Sequence, residues 1–245
     1  MAAAQARHRP ELTWLGHGTF HLRTVGGRSQ LLDAWVGNNP ACPEAWKERV
    51  RAGLDAVLIS HGHFDHIHDA VDLARAGTPK LVAIFETAHW LQGQGCPDVL
   101  GMNKGGTVTV APGVRASMVH AEHSCGISDG DRIVYGGEAC GYVLHLEDGR
   151  RLYHAGDTAV FGDMRLIQDL WQPEVAILPI GGLYTMDPDQ AAYACELLGV
   201  RTVVPGHYGT FPALEGTPEA LRHALRGRGL WIEVVSPEPG ETVEV

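Results

Sequence analysis

Along this chain the apolar residues fall into short runs, divided by glycine, proline and aspartate, and several runs give way to helical spacing. "GLDAVLIS" (53–60), "KLVAIF" (80–85) and "EVAILPI" (174–180) are continuous apolar runs, which predict strands covered on both faces. "ELTWLG" (11–16) and "SQLLDAWV" (29–36) predict a strand pair, with Gly26-Gly27 at the turn. "TVTV" (107–110) and "VRASMVHA" (114–121) add two more strands, broken by Pro112-Gly113. "CGYVLHLEDGRRLYHAGDT" (140–158) reads as a hairpin around Asp148-Gly149, and "RTVVPGH" (201–207) as a late strand. Between them, Ile67, Val71 and Ala74 share one helix face, which Gly77 and Pro79 end, and Met164, Ile167 and Trp171 share another. "DPDQAAYACELLG" (187–199) carries a full helix address: Asp187 to cap, Pro188 in the first turn, Gln190 for the capping box and Gly199 to stop. "TPEALRHAL" (217–225) opens a further capped helix. Alternating strands and helices predict an α/β fold. No linker interrupts residues 11–245, so they read as a single domain, with residues 1–10 as a tail.

Composition narrows the function. Hydrophobic residues make up 44% and charged residues 20% of the 245, as in ordinary globular proteins. The formal charge is −10 and the one basic cluster, "RHALRGRG" (222–229), reads as a helix end. Nucleic acid is therefore a disfavoured partner. The five cysteines form no CxxC pair, so neither a disulfide framework nor a thiolate zinc knuckle is expected. The first residues lack an apolar leader core, and no run approaches the roughly 18 residues of a membrane span. A cytoplasmic protein acting on a small molecule, without membrane attachment, is the expectation.

The chemistry collects where strands end. "LISHGHFDHIHDA" (58–70) follows a buried strand and contains His61, His63, Asp65 and His66 as H-x-H-x-D-H. In an extended segment His61 and His63 point the same way and can share one metal, while Asp65 and His66 turn toward a second. His123, Asp157 and His207 also lie at strand ends. Seven ligands then serve two ions: His61, His63 and His123 on one, Asp65, His66 and His207 on the other, and Asp157 between them. Nitrogen and oxygen donors without thiolate suit Zn²⁺ first, with Mn²⁺ or Fe²⁺ as alternatives. A coordination position left to a shared water marks a catalytic site, because two cations generate a nucleophile at neutral pH. His68, and Asp69 near a helix start, are left without a metal role.

The ordered motifs "WLGHGTF", "LLDAWVGNNP", H-x-H-x-D-H, "AEHS", "YHAGDT" and "VPGHYGTFP" resemble the metallo-β-lactamase superfamily from about residue 11 to the end. They are most similar to its metal-dependent hydrolases akin to L-ascorbate-6-phosphate lactonase. The resemblance implies a four-layer αββα sandwich of two pseudo-equivalent halves, with metals at one edge of the sheets. It selects His123 over His120 as ligand, and puts His17 near the substrate. Asp157 stands where true β-lactamases often have cysteine, as in hydrolases of lactones, thioesters and phosphodiesters, and the likeness to a sugar-phosphate lactonase turns the reading toward an ester, lactone or amide-type bond of a small polar substrate. Asp33-Ala34 stands where the family usually has Asp-Pro.

Other residues are candidates for supporting roles. Asp33 and His154 can orient ligands or meet substrate, and Tyr208 can donate to an oxyanion. Thr185 and Met186 are read as pocket-lining, Asp65 as the proton carrier, and Cys125 as a neighbour without a catalytic role. The expected activity is metal-dependent hydrolysis. A phosphodiesterase or nuclease on the same metals, and a metal-loaded binding protein without turnover, are the alternatives. Assembly into homo-oligomers is a further expectation from the resemblance.

Overall fold

The computed structural model describes residues 9–77 and 79–245. The expected tail thus falls outside the described residues up to residue 8. Pro10, placed in that tail by the sequence, is buried, and its carbonyl accepts a hydrogen bond from the Val245 amide. The first half runs β1 (Glu11–Trp14), β2 (Phe20–Arg23), β3 (Ser29–Leu32), α1 (Glu44–Arg49), β4 (Ala56–Leu58), α2 (Phe64–Ile67), α3 (Ala70–Gly77), β5 (Lys80–Ile84), α4 (Phe85–Gly93) and β6 (Val99–Met102). The second runs β7 (Thr107–Ala111), β8 (Val114–His120), β9 (Gly126–Asp129), β10 (Arg132–Tyr135), β11 (Cys140–His145), β12 (Arg151–His154), α5 (Met164–Trp171), β13 (Val175–Pro179), α6 (Pro188–Leu198), β14 (Thr202–Gly206), α7 (Pro218–Gly227), β15 (Glu233–Val234) and β16 (Thr242–Glu244).

The strands form two seven-stranded sheets, β16-β1-β2-β3-β4-β5-β6 and β15-β14-β13-β12-β11-β8-β7. The two halves are equivalent in detail. Reading the first sheet from β16 and the second from β7, three antiparallel pairings are followed by three parallel ones. Strand alternation builds the layers. Leu32, Leu58 and Val82 point inward to meet Met118, Tyr142 and Ile177 of the other sheet. Their chain neighbours Leu31, Val57 and Leu81 point outward onto Leu73 of α3 and Leu91 of α4. Val143, Ala176 and Val203 of the second sheet point outward onto Ile167, Cys195 and Leu221 of α5, α6 and α7. The result is the expected αββα order.

Several predicted elements shift. Gly26-Gly27 turns β2 into β3, and β1 joins β2 through residues 15–19, so the chain makes three strands where the pattern gave two. The helix expected from Ile67 is two pieces, α2 and α3, because Asp69 breaks them. Its carboxylate accepts from the amides of Val36 (2.6 Å) and Gly37 (2.9 Å), which ties the strand-to-helix loop to the loop after β3. Phe85, placed in a strand by its pattern, begins α4. The address at 187–199 is used at its cap, first turn and stop: the Asp187 side chain accepts from the Gln190 amide at 2.8 Å, Pro188 opens the helix, and Gly199 closes it at φ +60°. Among the described residues no helix is long and apolar enough to cross a membrane.

Candidate metal centre

The functional side chains all gather at the C-terminal ends of strands, where an α/β sheet leaves its crevice. His61 and His63 follow β4, His123 follows β8, Asp157 follows β12 and His207 follows β14. The short helix α2, with His63 at its N-cap, turns Asp65 and His66 back toward the same point. His120 stays outside the cluster, held by Lys104 and Glu122 on the surface.

Three overlapping groups of donor atoms lie within 4.8 Å of one another: His61 with His63 and His123, His61 with His66 and Asp157, and His17 with Asp65, His66 and His207. Asp157 is the hub. Its Oδ2 lies 3.0 Å from His207 Nε2, 3.3 Å from His66 Nε2, 3.8 Å from His123 Nε2 and 3.9 Å from His61 Nε2. His61 Nε2 and His63 Nδ1 face each other at 3.0 Å. Donors about 2.0–2.2 Å from one tetrahedral ion sit roughly 3.3–3.6 Å apart, so these spacings suit metal coordination. The ring nitrogens agree. His66 Nε2 and His207 Nε2 are buried and lack a hydrogen-bond partner, and such atoms are rare unless something outside the protein uses them. The set therefore fits divalent metal bound by mixed nitrogen and oxygen donors.

Asp33 holds this arrangement from below. It is fully buried, with left-handed backbone at φ +59°. Oδ1 accepts from the Ser60 amide at 2.7 Å, and Oδ2 accepts from Ser60 Oγ (2.8 Å), His66 Nδ1 (2.8 Å) and His154 Nε2 (3.1 Å). Ser60 Oγ in turn accepts from His61 Nδ1 at 3.0 Å. One carboxylate thus fixes the tautomer of a ligand on each side, His66 directly and His61 through Ser60, leaving their Nε2 lone pairs to face inward. Burial would raise the Asp33 carboxyl, but the charge and hydrogen bonds of His66 and His154 hold it well below the usual range. His154 lies beneath the ligands and away from the main cavity.

His17 donates from Nε2 to Asp65 Oδ2 at 2.8 Å. Burial lowers its imidazole to about 4, so it is neutral and steers the carboxylate. Burial would raise Asp65, yet the charge of His66 and the hydrogen bond from His17 keep it ionised. His17, Asp33 and His207 all have left-handed backbone, at φ +56°, +59° and +53°. Non-glycine residues adopt this conformation at a cost, and here the cost collects at the centre. Gly18 is required for a different reason: a Cβ there would stand 2.6 Å from His66 Cε1.

Other sequence candidates find different places. The Tyr208 ring stacks on Trp14 with centroids 4.8 Å apart, and lines a separate cavity with Glu219 and Glu238. Tyr208 is thus absent from the lining of the metal cavity, where the sequence places it as an oxyanion donor. Thr185 and Met186 do not line the metal cavity either. The Gly182-to-Met186 turn buries Met186 in the outer core and presents Tyr184 instead. Cys125 Sγ accepts from the Gly62 amide at 3.3 Å and donates to the Gly136 carbonyl, bracing the His61–His63 loop. The pattern gave no sign of Thr158, which accepts from the Glu122 amide and so ties the His123 loop to the Asp157 loop. His68 is exposed and Asp69 serves the loop described above.

The cluster floors an open cavity of about 620 Å³, into which His17, His63, Asp65, His123, Asp157 and His207 all open. That volume fits a small-molecule site.

Comparison with known proteins agrees with this geometry. A beta-lactamase superfamily domain matches residues 28–208. A UPF0173 metal-dependent hydrolase of Solibacter usitatus is 55% identical over 96% of this chain and 99% of its own. One from Roseiflexus castenholzii is 52% identical over 95% of this chain and 96% of its own. Among solved structures, a metallo hydrolase from the hyperthermophilic archaeon Ignicoccus hospitalis superposes with a TM-score of 0.84 at 36% identity, covering 96% of this chain and 98% of that one. The chain belongs to the beta-lactamase superfamily and, within it, to the family of UPF0173 metal-dependent hydrolases.

Proposed function

We propose that this protein is a binuclear metal-dependent hydrolase that cleaves an ester, lactone or amide-type bond of a small molecule. One observation carries the reading: a single buried carboxylate oxygen of Asp157 lies within 4 Å of histidines from both donor groups, as a ligand shared by two ions would. His61, His63 and His123 would hold one ion, Asp65, His66 and His207 the other. Bound there, the metals activate water and polarise the scissile carbonyl.

The chain's own groups do the rest. Asp65 and Asp157 are the carboxylates that open into the cavity; with Asp157 as the shared ligand, Asp65 is the one left to take the proton from the attacking water. His17 fixes its orientation. The proton then goes to the leaving oxygen or nitrogen, and the products are an acid and an alcohol or amine. Asp33 keeps His61 and His66 aimed, and the sheet ends keep the ligands still.

Turnover of a panel of lactones, esters, amides and phosphodiesters, on protein of measured metal content, tests this. Acyl substrates should turn over only with metal bound. Faster cleavage of a chromogenic phosphodiester, or no turnover of any substrate with two metals bound, contradicts it.

A further inference from the structure

The cavity above the centre has walls unlike its floor. Phe64, Tyr184, Phe211, Pro212 and Ala213 border it, and three of these are aromatic side chains left open to solvent: Phe64 51%, Tyr184 60% and Phe211 37% exposed. Clustered exposed aromatics beside a polar site mark a binding surface. Among the described residues, no lysine or arginine lines the cavity. A phosphate or second carboxylate held away from the metals would find no counter-charge there, and would sit near Asp65 and Asp157 in a chain of net charge −10.

The walls are built to the same reference as the floor. Phe64 lies between the ligands His63 and Asp65 in sequence. Its ring meets the buried Trp35 edge-on at 5.6 Å, and Phe211 stacks on the same Trp35 at 6.0 Å. Phe211 follows the ligand His207 in a loop closed by the Gly209 amide donating to the Leu214 carbonyl. It also packs edge-on against His17 at 5.5 Å. Tyr184 sits in a turn closed by the Gly182 amide on the Met186 carbonyl, and the Met186 amide donates to the carbonyl of Thr158, next to Asp157. Each aromatic wall residue is therefore anchored to a loop that carries a donor group. Two of the anchors run through rigid packing on Trp35, so the wall is formed before a ligand arrives.

We propose that the substrate carries an uncharged aromatic or branched apolar group beside its scissile bond, seated on Phe64, Phe211 and Tyr184, in place of the phosphorylated or polyhydroxylated sugar that sequence resemblance suggests. The inference rests on the hydrolase reading for the bond, and on the wall for the group beside it. Binding separates the two. Acetohydroxamate and phenylacetohydroxamate present the same metal-binding head to zinc-loaded protein and differ by one ring. Burying that ring against the wall should tighten binding by about 10- to 100-fold. Phe64→Ala and Tyr184→Ala should each cut that ratio several-fold, and both side chains are exposed enough for the fold to tolerate the change. Leu170→Ala, on the exposed face of α5 and far from the cavity lining, should leave it unchanged. In the substrate panel, a phenyl-bearing lactone or ester should outpace a phosphorylated sugar lactone by a similar factor in kcat/KM. Equal binding of the two hydroxamates, binding of neither, or preference for the phosphorylated lactone overturns the inference. A strong phenyl preference in binding without turnover of any acyl substrate would overturn the hydrolase reading and leave the wall assignment standing.

Discussion

Replacing Asp33 tests how the centre is held together. The residue touches no cavity, yet its carboxylate accepts four hydrogen bonds in full burial. Asp33→Ala removes the acceptor of four buried donors: the Ser60 amide and hydroxyl, His66 Nδ1 and His154 Nε2. At about 1–3 kcal/mol for each unsatisfied buried group, the fold should lose at least about 4 kcal/mol. Asp33→Asn is the sharper test. It keeps the shape and the Oδ1 acceptor for Ser60, but removes the charge and sets an amide against His66 and His154. Losing such a partner behind a metal ligand typically costs about 10- to 100-fold in metal affinity. The expected result is a protein that melts within a few degrees of wild type and loses metal to a chelator that wild type resists. Metal content after dialysis against chelators of graded affinity, with a thermal melt alongside, reads both. If Asp33→Asn keeps wild-type metal affinity, the chain from Asp33 through Ser60 to His61 and directly to His66 does not position the ligands, and the reasoning fails.

Other outcomes follow from the same geometry. His66→Ala should lose one metal while His68→Ala, exposed at the end of α2, keeps both; equal loss in metal analysis would mean the loop after β4 has been misread. Tyr208→Phe should change kcat less than about two-fold, because its ring stacks on Trp14 outside the metal cavity; a drop of about 10²-fold, the usual scale for a lost oxyanion donor, would restore it to the site. In metal-free protein, burial would depress His207, but the charge of Asp157, whose Oδ2 lies 3.0 Å from its Nε2, raises it to about 9. A raised histidine stabilises fully below its unfolded value near 6.5 and stops doing so as pH rises through about 9. Chelated protein should therefore lose stability between those limits, read by melting at each pH, and a flat profile would contradict this. Gly18→Ala should weaken metal binding by displacing the His66 ring, which a chelator titration would show as an affinity below wild type.

Much of the site was legible because its residues sit where a repeating pattern ends. Buried apolar runs stop at His61, Asp157 and His207, and strand ends are where an α/β fold can place rigid ligands. The helix over 187–199 was equally plain, since cap, proline and stop glycine agree. Other features carried no such signal. "FETAHWLQG" has no clear apolar stripe, so α4 was hidden until β5 and β6 packed against it. The β9–β10 hairpin stands apart from both sheets and leaves Ile133 and Tyr135 exposed, so burial did not shape its pattern. Asp69 looked like an ordinary early-helix carboxylate; its bonds to the Val36 and Gly37 amides are contacts between distant segments. Tyr208 misled for the opposite reason. Adjacency to a ligand in sequence says little about which cavity a side chain lines. The aromatic wall was unreadable for the same cause: Phe64 at the start of α2, and Tyr184 and Phe211 in two loops, are brought around one cavity only by the fold.

The central claim is a two-metal centre shared through Asp157. Crystals of the zinc-loaded protein, measured at the zinc absorption edge, test it most directly. Two anomalous peaks should appear on either side of Asp157, one beside His61, His63 and His123 and the other beside Asp65, His66 and His207. A single peak, or peaks held by residues outside this set, would contradict it.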